Sequence, residues 1–148
     1  MSPLRFAAYG TLRPGFPNAR LWDSVPGVSS EPCVIPGVRL RVDSVPFARV
    51  DLGSEAVGDL ITVPGEAASR VLERLDWLEG HPFLYVRVPW PCVTASGTVV
   101  CWLYLDATLE EYGRPVPGGD YANVRKTRTA IGGPQPEREG GAYAHNHQ

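Results

Sequence analysis

The chain has no long hydrophobic run, and no segment approaches the roughly 20 apolar residues needed to cross a bilayer. Charge of one sign is also missing: 14 Lys and Arg stand against 16 Asp and Glu, a formal net charge of −2. That balance gives no electrostatic case for nucleic acid or an acidic lipid surface as partner. Cysteine is scarce. Cys33, Cys92 and Cys101 form no CxxC pair, and each lies in or beside an apolar strand-like run. They are expected to be buried thiols rather than disulfides, nucleophiles or metal ligands. Histidine is equally sparse. His81 is the only internal one and reads as a turn residue or part of a cleft wall, while His145 and His147 are too isolated for a metal site. There is no GxSxG, HExxH or GxGxxG motif. Gly10 and Gly15 have the spacing of a phosphate loop, but Phe16-Pro17 replaces the lysine and hydroxyl residue it needs. Met1 to Arg5 leads into a strand without the pattern of a signal peptide. The expectation is a cytoplasmic protein, a monomer or weak dimer, working without cofactor, metal, membrane or nucleic acid.

What is present is an ordinary globular composition, 43% hydrophobic and 20% charged over 148 residues, enough for one domain that buries roughly 68–70% of its unfolded surface. Near the start, Phe6-Ala7-Ala8-Tyr9-Gly10-Thr11-Leu12-Arg13-Pro14-Gly15 passes from a short apolar run into a turn. Residues 4 to 9 read as a buried strand that Gly10, Pro14 and Gly15 break. Such a turn leaves backbone N–H groups without a ladder partner, and Gly10 has no side chain to block an anionic group or oxyanion that they could bind.

A second feature is the helix predicted from about Glu66 to Glu79. Ala68, Val71, Leu72, Leu75 and Leu78 recur at helical spacing and form one apolar stripe, while Arg70, Glu73, Arg74 and Trp77 project away from it. Pro64-Gly65 precedes the helix and Gly80 suits its C′ position. Glu79 falls on the stripe, four residues after Leu75. It also sits where the helix macrodipole disfavours a negative charge by roughly 0.3–1 kcal/mol. Burial and dipole both push a carboxyl pKa upward, which suits proton transfer near neutral pH. The alternative is a frayed helix end whose glutamate simply reaches water. Asp76, at the rim of the stripe, is expected to have a structural hydrogen-bonding role.

Tyr9-Gly10-Thr11-Leu12, then Leu75-Asp76-Trp77-Leu78-Glu79-Gly80, then Tyr85-Val86-Arg87 together resemble the gamma-glutamylcyclotransferase-like family. The likeness covers roughly residues 4 to 125, with lesser matches at Gly58-Asp59-Leu60 and Gly119-Asp120-Tyr121. It implies that Tyr9, Gly10, Thr11 and Leu12 wrap the glutamyl end of a small gamma-glutamyl substrate. It further implies that Glu79 is the catalytic acid and base, and that Tyr85 lines the cavity. The implied reaction releases 5-oxoproline and a free amine. A non-catalytic domain of the same fold that binds a glutamyl or amino-acid-like ligand is the alternative.

The remaining pattern is mostly strand. Runs at Cys33–Val42, Phe47–Leu52, Ala56–Val63, Phe83–Pro91 and Thr98–Leu105 follow the first strand, with Pro89 and Pro91 ending the fourth of these or placing it at an edge. Asn18–Trp22 reads as a short helix closing the cleft, and Thr98–Leu105, apolar on both faces, as a central strand with Tyr104 turned to the cavity or the core. Six strands and one main helix allow an α+β sandwich. The resemblance selects an α+β small mixed β-barrel. One domain is expected over residues 1–130, with Gly118–Tyr121 folding back over the site and a disordered tail over 131–148.

Overall fold

The computed structural model describes residues 2–108 and 111–124. The tail predicted over 131–148, the last residues of the predicted domain and both terminal histidines lie outside the described residues.

Strands β1 (Leu4–Ala8), β2 (Ser29–Val42), β3 (Pro46–Val63), β4 (Tyr85–Thr94), β5 (Gly97–Asp106) and β6 (Arg114–Pro115) form one mixed sheet in the order β3-β1-β5-β4-β2-β6. Because β2 also pairs with β3, five strands close on one another. The closure is loose. Only Val34 pairs with Val93 between β2 and β4, and only Phe6 with Trp102 in the parallel step from β1 to β5. The result is a small barrel-like α+β fold, with its long ladders concentrated in β2–β3 and β4–β5.

Two strand expectations are corrected. The predicted runs Phe47–Leu52 and Ala56–Val63 are a single strand, because β2 runs alongside and pairs on both sides of the break, with a register shift between Pro36 and Val38 that leaves residues 51–54 without an opposite partner. Pro89 and Pro91 do not end β4, which continues to Thr94. The Arg87 N–H is donated to His81 Nδ1 at 3.1 Å and so points away from β5. Strand alternation then turns Pro89 and Pro91 the same way, so the ladder to β5 needs no N–H from either proline.

Period-2 alternation divides the core. Ala7 and Tyr9 point into the barrel with Ile35, Leu40, Leu60, Leu103 and the three cysteines. Leu4, Phe6 and Ala8 point to the opposite face with Ile61 and Val63, where helix α1 (Gly65–Glu79) covers them. The fully buried line of α1 is Ala67, Val71, Leu75 and Glu79, each four residues after the last. It shares Val71, Leu75 and Glu79 with the predicted stripe, of which Ala68 and Leu72 are only partly buried. Burying Val71 and Leu75 contributes on the order of 1.5–3 kcal/mol each. Gly80 ends the helix in the left-handed region, φ 67 and ψ 32, where a Cβ would approach Leu84 Cδ1 to 2.8 Å.

Candidate active site

The last residue of α1 is fully buried. Glu79 has 0% exposure, and neither carboxyl oxygen has a hydrogen-bond partner. A carboxylate in that position has lost its water and gained nothing, so burial alone pushes the Glu79 carboxyl well above its ordinary 4.5. The frayed-end alternative is thereby excluded.

Three tyrosines share this neighbourhood. Tyr9 donates its hydroxyl to the Tyr104 carbonyl at 2.6 Å, Tyr85 donates to the Pro46 carbonyl at 3.2 Å, and Tyr104 donates to Asp76 Oδ1 at 2.8 Å. All three hydroxyls are pushed up chiefly by burial, and the charge of Glu79 adds to each shift. Tyr9 and Tyr85, named from the sequence, and Tyr104 thus lie within electrostatic range of Glu79, and the Tyr104 hydroxyl is satisfied in the core by Asp76. That carboxylate also receives Arg87 Nε at 2.8 Å and a terminal Arg87 nitrogen at 3.1 Å. Arg87 lies 4.3 Å from the Trp102 ring centroid. Asp76 is thus the anchor that ties the end of α1 to β4 and β5, and His81, in the turn after α1 as expected, accepts the Arg87 N–H of β4.

The turn after β1 is polarised by its own hydrogen bonds. The Gly10 carbonyl accepts the Arg13 N–H at 3.1 Å and the Thr11 carbonyl accepts the Asn18 N–H at 3.0 Å. The Leu12 carbonyl accepts Trp22 Nε1 at 3.2 Å. Asn18 and Trp22 come from the 3₁₀ helix Pro17–Ser24, the short helix expected there. Among the described residues, the N–H groups of Gly10, Thr11 and Leu12 make no such bond. A segment that has engaged its acceptors and kept its donors is suited to an anion or an oxyanion. Thr11 enters through its main chain, since its hydroxyl is held by Asn18 Nδ2 at 2.9 Å. Leu12 belongs to the same buried apolar cluster as Leu75, Tyr85 and Tyr104.

A polar group that sequence reasoning missed adjoins the tyrosines. The Asp106 side chain, 6% exposed, faces an Arg49 terminal nitrogen at 3.1 Å and accepts the Tyr112 hydroxyl at 2.9 Å. Burial is the main cause that raises its carboxyl, and its charge acts on both Tyr9 and Tyr85. Its only sequence signal is an acid closing an otherwise apolar strand. Among the described residues, no group of three or more His, Cys, Asp or Glu side chains is placed to hold a metal ion. No helix among them is long and apolar enough to cross a membrane.

Comparison with known proteins gives the chain's family and fold. Residues 6–123 match the family model described as "Gamma-glutamyl cyclotransferase, AIG2-like". A protein of Methanocaldococcus jannaschii provisionally named a gamma-glutamylcyclotransferase is 28% identical over 123 residues, which is 79% of this chain and 94% of that one. Among solved structures, a Pyrococcus horikoshii protein described as uncharacterized superposes with a TM-score of 0.64 at 22% identity, covering 86% of this chain and 97% of that one. A mouse AIG2-like protein gives 0.61 at 20% identity, over 74% of this chain and 81% of that one. The chain belongs to the gamma-glutamyl cyclotransferase, AIG2-like, family.

Proposed function

We propose that the protein is a gamma-glutamylcyclotransferase in which Glu79 moves the proton and the Tyr9–Leu12 turn holds the glutamyl end of the substrate. The observation that carries this reading is the fully buried Glu79 carboxyl, neither oxygen of which has a hydrogen-bond partner. An unpaired buried carboxyl costs stability, and nothing in the packing requires one.

The chemistry asks for little else. The alpha-amine of a gamma-glutamyl amide attacks the gamma-carbonyl carbon of the same molecule, forming the ring C–N bond of 5-oxoproline. Holding the chain folded for that attack is worth about 7–11 kcal/mol relative to a bimolecular reaction. The carbonyl oxygen takes up negative charge as the bond forms, while donors of the Gly10–Leu12 turn hold the alpha-carboxylate. As the exocyclic C–N bond breaks, one proton must pass from the attacking nitrogen to the leaving nitrogen. Glu79 accepts that proton from the attacking nitrogen and delivers it to the leaving one, ending in the protonation state in which it began. Tyr85, whose hydroxyl is fixed to Pro46, is assigned to contact with the substrate. All these groups come from one chain, so a monomer suffices. The three free thiols, all buried in one core cluster, support residence in a reducing compartment such as the cytoplasm.

The test is incubation with a panel of gamma-glutamyl amines, including dipeptides, glutathione and gamma-glutamyl-lysine, with 5-oxoproline as readout. Wild-type product that falls about a hundredfold or more in Glu79→Gln is the expected result, within the range of general acid–base contributions. Thermal protection by the panel without any product would replace catalysis with ligand binding.

A further inference from the structure

The matches at Gly58-Asp59-Leu60 and Gly119-Asp120-Tyr121 have no part in the chemistry above, yet the fold gathers them at one point beside the turn. Arg13 is that point. Its main-chain N–H closes the turn onto the Gly10 carbonyl at 3.1 Å. Its side chain reaches in two directions, with Nε on Asp59 Oδ2 at 2.8 Å and a terminal nitrogen on Asp120 Oδ1 at 2.9 Å. Arg13 is 12% exposed and Asp59 15%, so solvent screens this pair less than an open surface pair.

Both carboxylates are themselves fixed. Asp59 lies directly opposite Ala8, the last residue of β1, where the chain leaves the sheet for the turn. It follows Gly58, where a Cβ would come within 2.5 Å of the Ala8 carbonyl oxygen. Asp120 accepts the Ala122 N–H at 2.9 Å. It follows Gly119, whose φ of +66 and 2.6 Å approach to the Glu55 carbonyl exclude a side chain. Above the pair, the Arg13 guanidinium lies 5.5 Å from the Phe16 ring centroid, and Phe16 lies 5.6 Å from the Tyr121 ring. A planar fork joining two carboxylates is a task for arginine, since lysine as a point charge reaches only one well.

We propose that Arg13 is the positioning residue of the binding turn. Pinned by Asp59 and Asp120, it sets the direction of the Gly10, Thr11 and Leu12 N–H groups and couples the segment Pro117–Val124 to substrate binding. This rests on the reading of the turn as the element that holds the glutamyl end. Because that grip is present before and during reaction, its loss weakens ground state and transition state alike, so KM rises while kcat is nearly kept.

The experiment compares Arg13→Met, Arg13→Lys and Asp120→Asn with wild type by steady-state kinetics on the best gamma-glutamyl amine and by amide hydrogen exchange. Arg13→Met is expected to raise KM about tenfold or more, with kcat within about threefold, the scale of one lost charged hydrogen bond. Arg13→Lys and Asp120→Asn fall between it and wild type. Exchange at Arg13, Phe16 and Asn18, whose N–H groups hold the turn together, accelerates in all three, while the amides of Ile61 and Leu103 keep wild-type rates. Unchanged KM, or exchange that rises uniformly with the loss of thermal stability, would make Arg13 an ordinary structural residue and overturn the proposal. If Arg13→Met fails to fold, the two milder variants carry the same comparison. If wild type releases no 5-oxoproline, the reaction assignment fails, and the exchange rates alone still decide whether Arg13 orients the turn.

Discussion

Replacing Glu79 by Gln should stabilise the protein, and by an amount that grows with pH. Glutamine keeps the volume and an uncharged polar end, so the hydrogen bonds that the protonated acid lacks remain lacking and only ionisation is removed. In the folded state burial holds the Glu79 carboxyl well above its ordinary value, with no compensating cause. The unfolded chain ionises near the usual pKa of about 4.3. Between that value and the folded one, the folded protein binds more protons than the unfolded, so stability falls as pH rises. Wild type and Glu79→Gln should therefore melt together below about pH 4. Above it they should diverge by about 1.4 kcal/mol per pH unit until the folded carboxyl ionises. For a chain of this size each kcal/mol corresponds to about 2–4 °C in Tm. Calorimetric melts of both proteins at half-unit pH steps give the curve directly. A difference that stays flat, or that shrinks as pH rises, would mean that the folded carboxylate has a partner and would refute the reasoning.

The same displacement should appear in catalysis: the acid limb of kcat/KM should have its midpoint well above the ordinary carboxylate range, and a limb within that range would assign it to another group. Asp76→Ala removes the acceptor of both Tyr104 and Arg87. It should cost about 1–3 kcal/mol by denaturant titration, with activity falling as the helix end loosens. Gly58→Ala places a methyl 2.5 Å from the Ala8 carbonyl oxygen. The resulting backbone shift should destabilise by about 1–3 kcal/mol, and an unchanged denaturation midpoint would contradict the packing described.

Local signals carried much of this site into the sequence. Helical spacing from Leu75 puts Glu79 on the buried face, and the glycine that follows ends the helix in the left-handed conformation that only a residue without Cβ adopts cheaply. The strand–turn signal places Tyr9 in the core and leaves the donors of Gly10–Leu12 unengaged. What escaped was decided by distant partners. The continuity of β3 through Gly53 depends on β2 alongside it, and the tolerance of Pro89 and Pro91 depends on which way their nitrogens face relative to β5. Arg13, Asp59 and Asp120 are separated by 46 and 107 residues from one end of the node, so no periodicity joins them. The Asp106–Arg49 pair is hidden for the same reason, since neither residue has a local pattern that announces burial.

Ring closure by the substrate's own amine is the central claim, and a reaction in ¹⁸O-water tests it most directly. Wild-type protein acting on its best gamma-glutamyl amine should release 5-oxoproline that carries no solvent oxygen, because no water attacks the carbonyl. Free glutamate bearing ¹⁸O in its gamma-carboxylate would show hydrolysis instead, and would contradict intramolecular attack and the proton path assigned to Glu79.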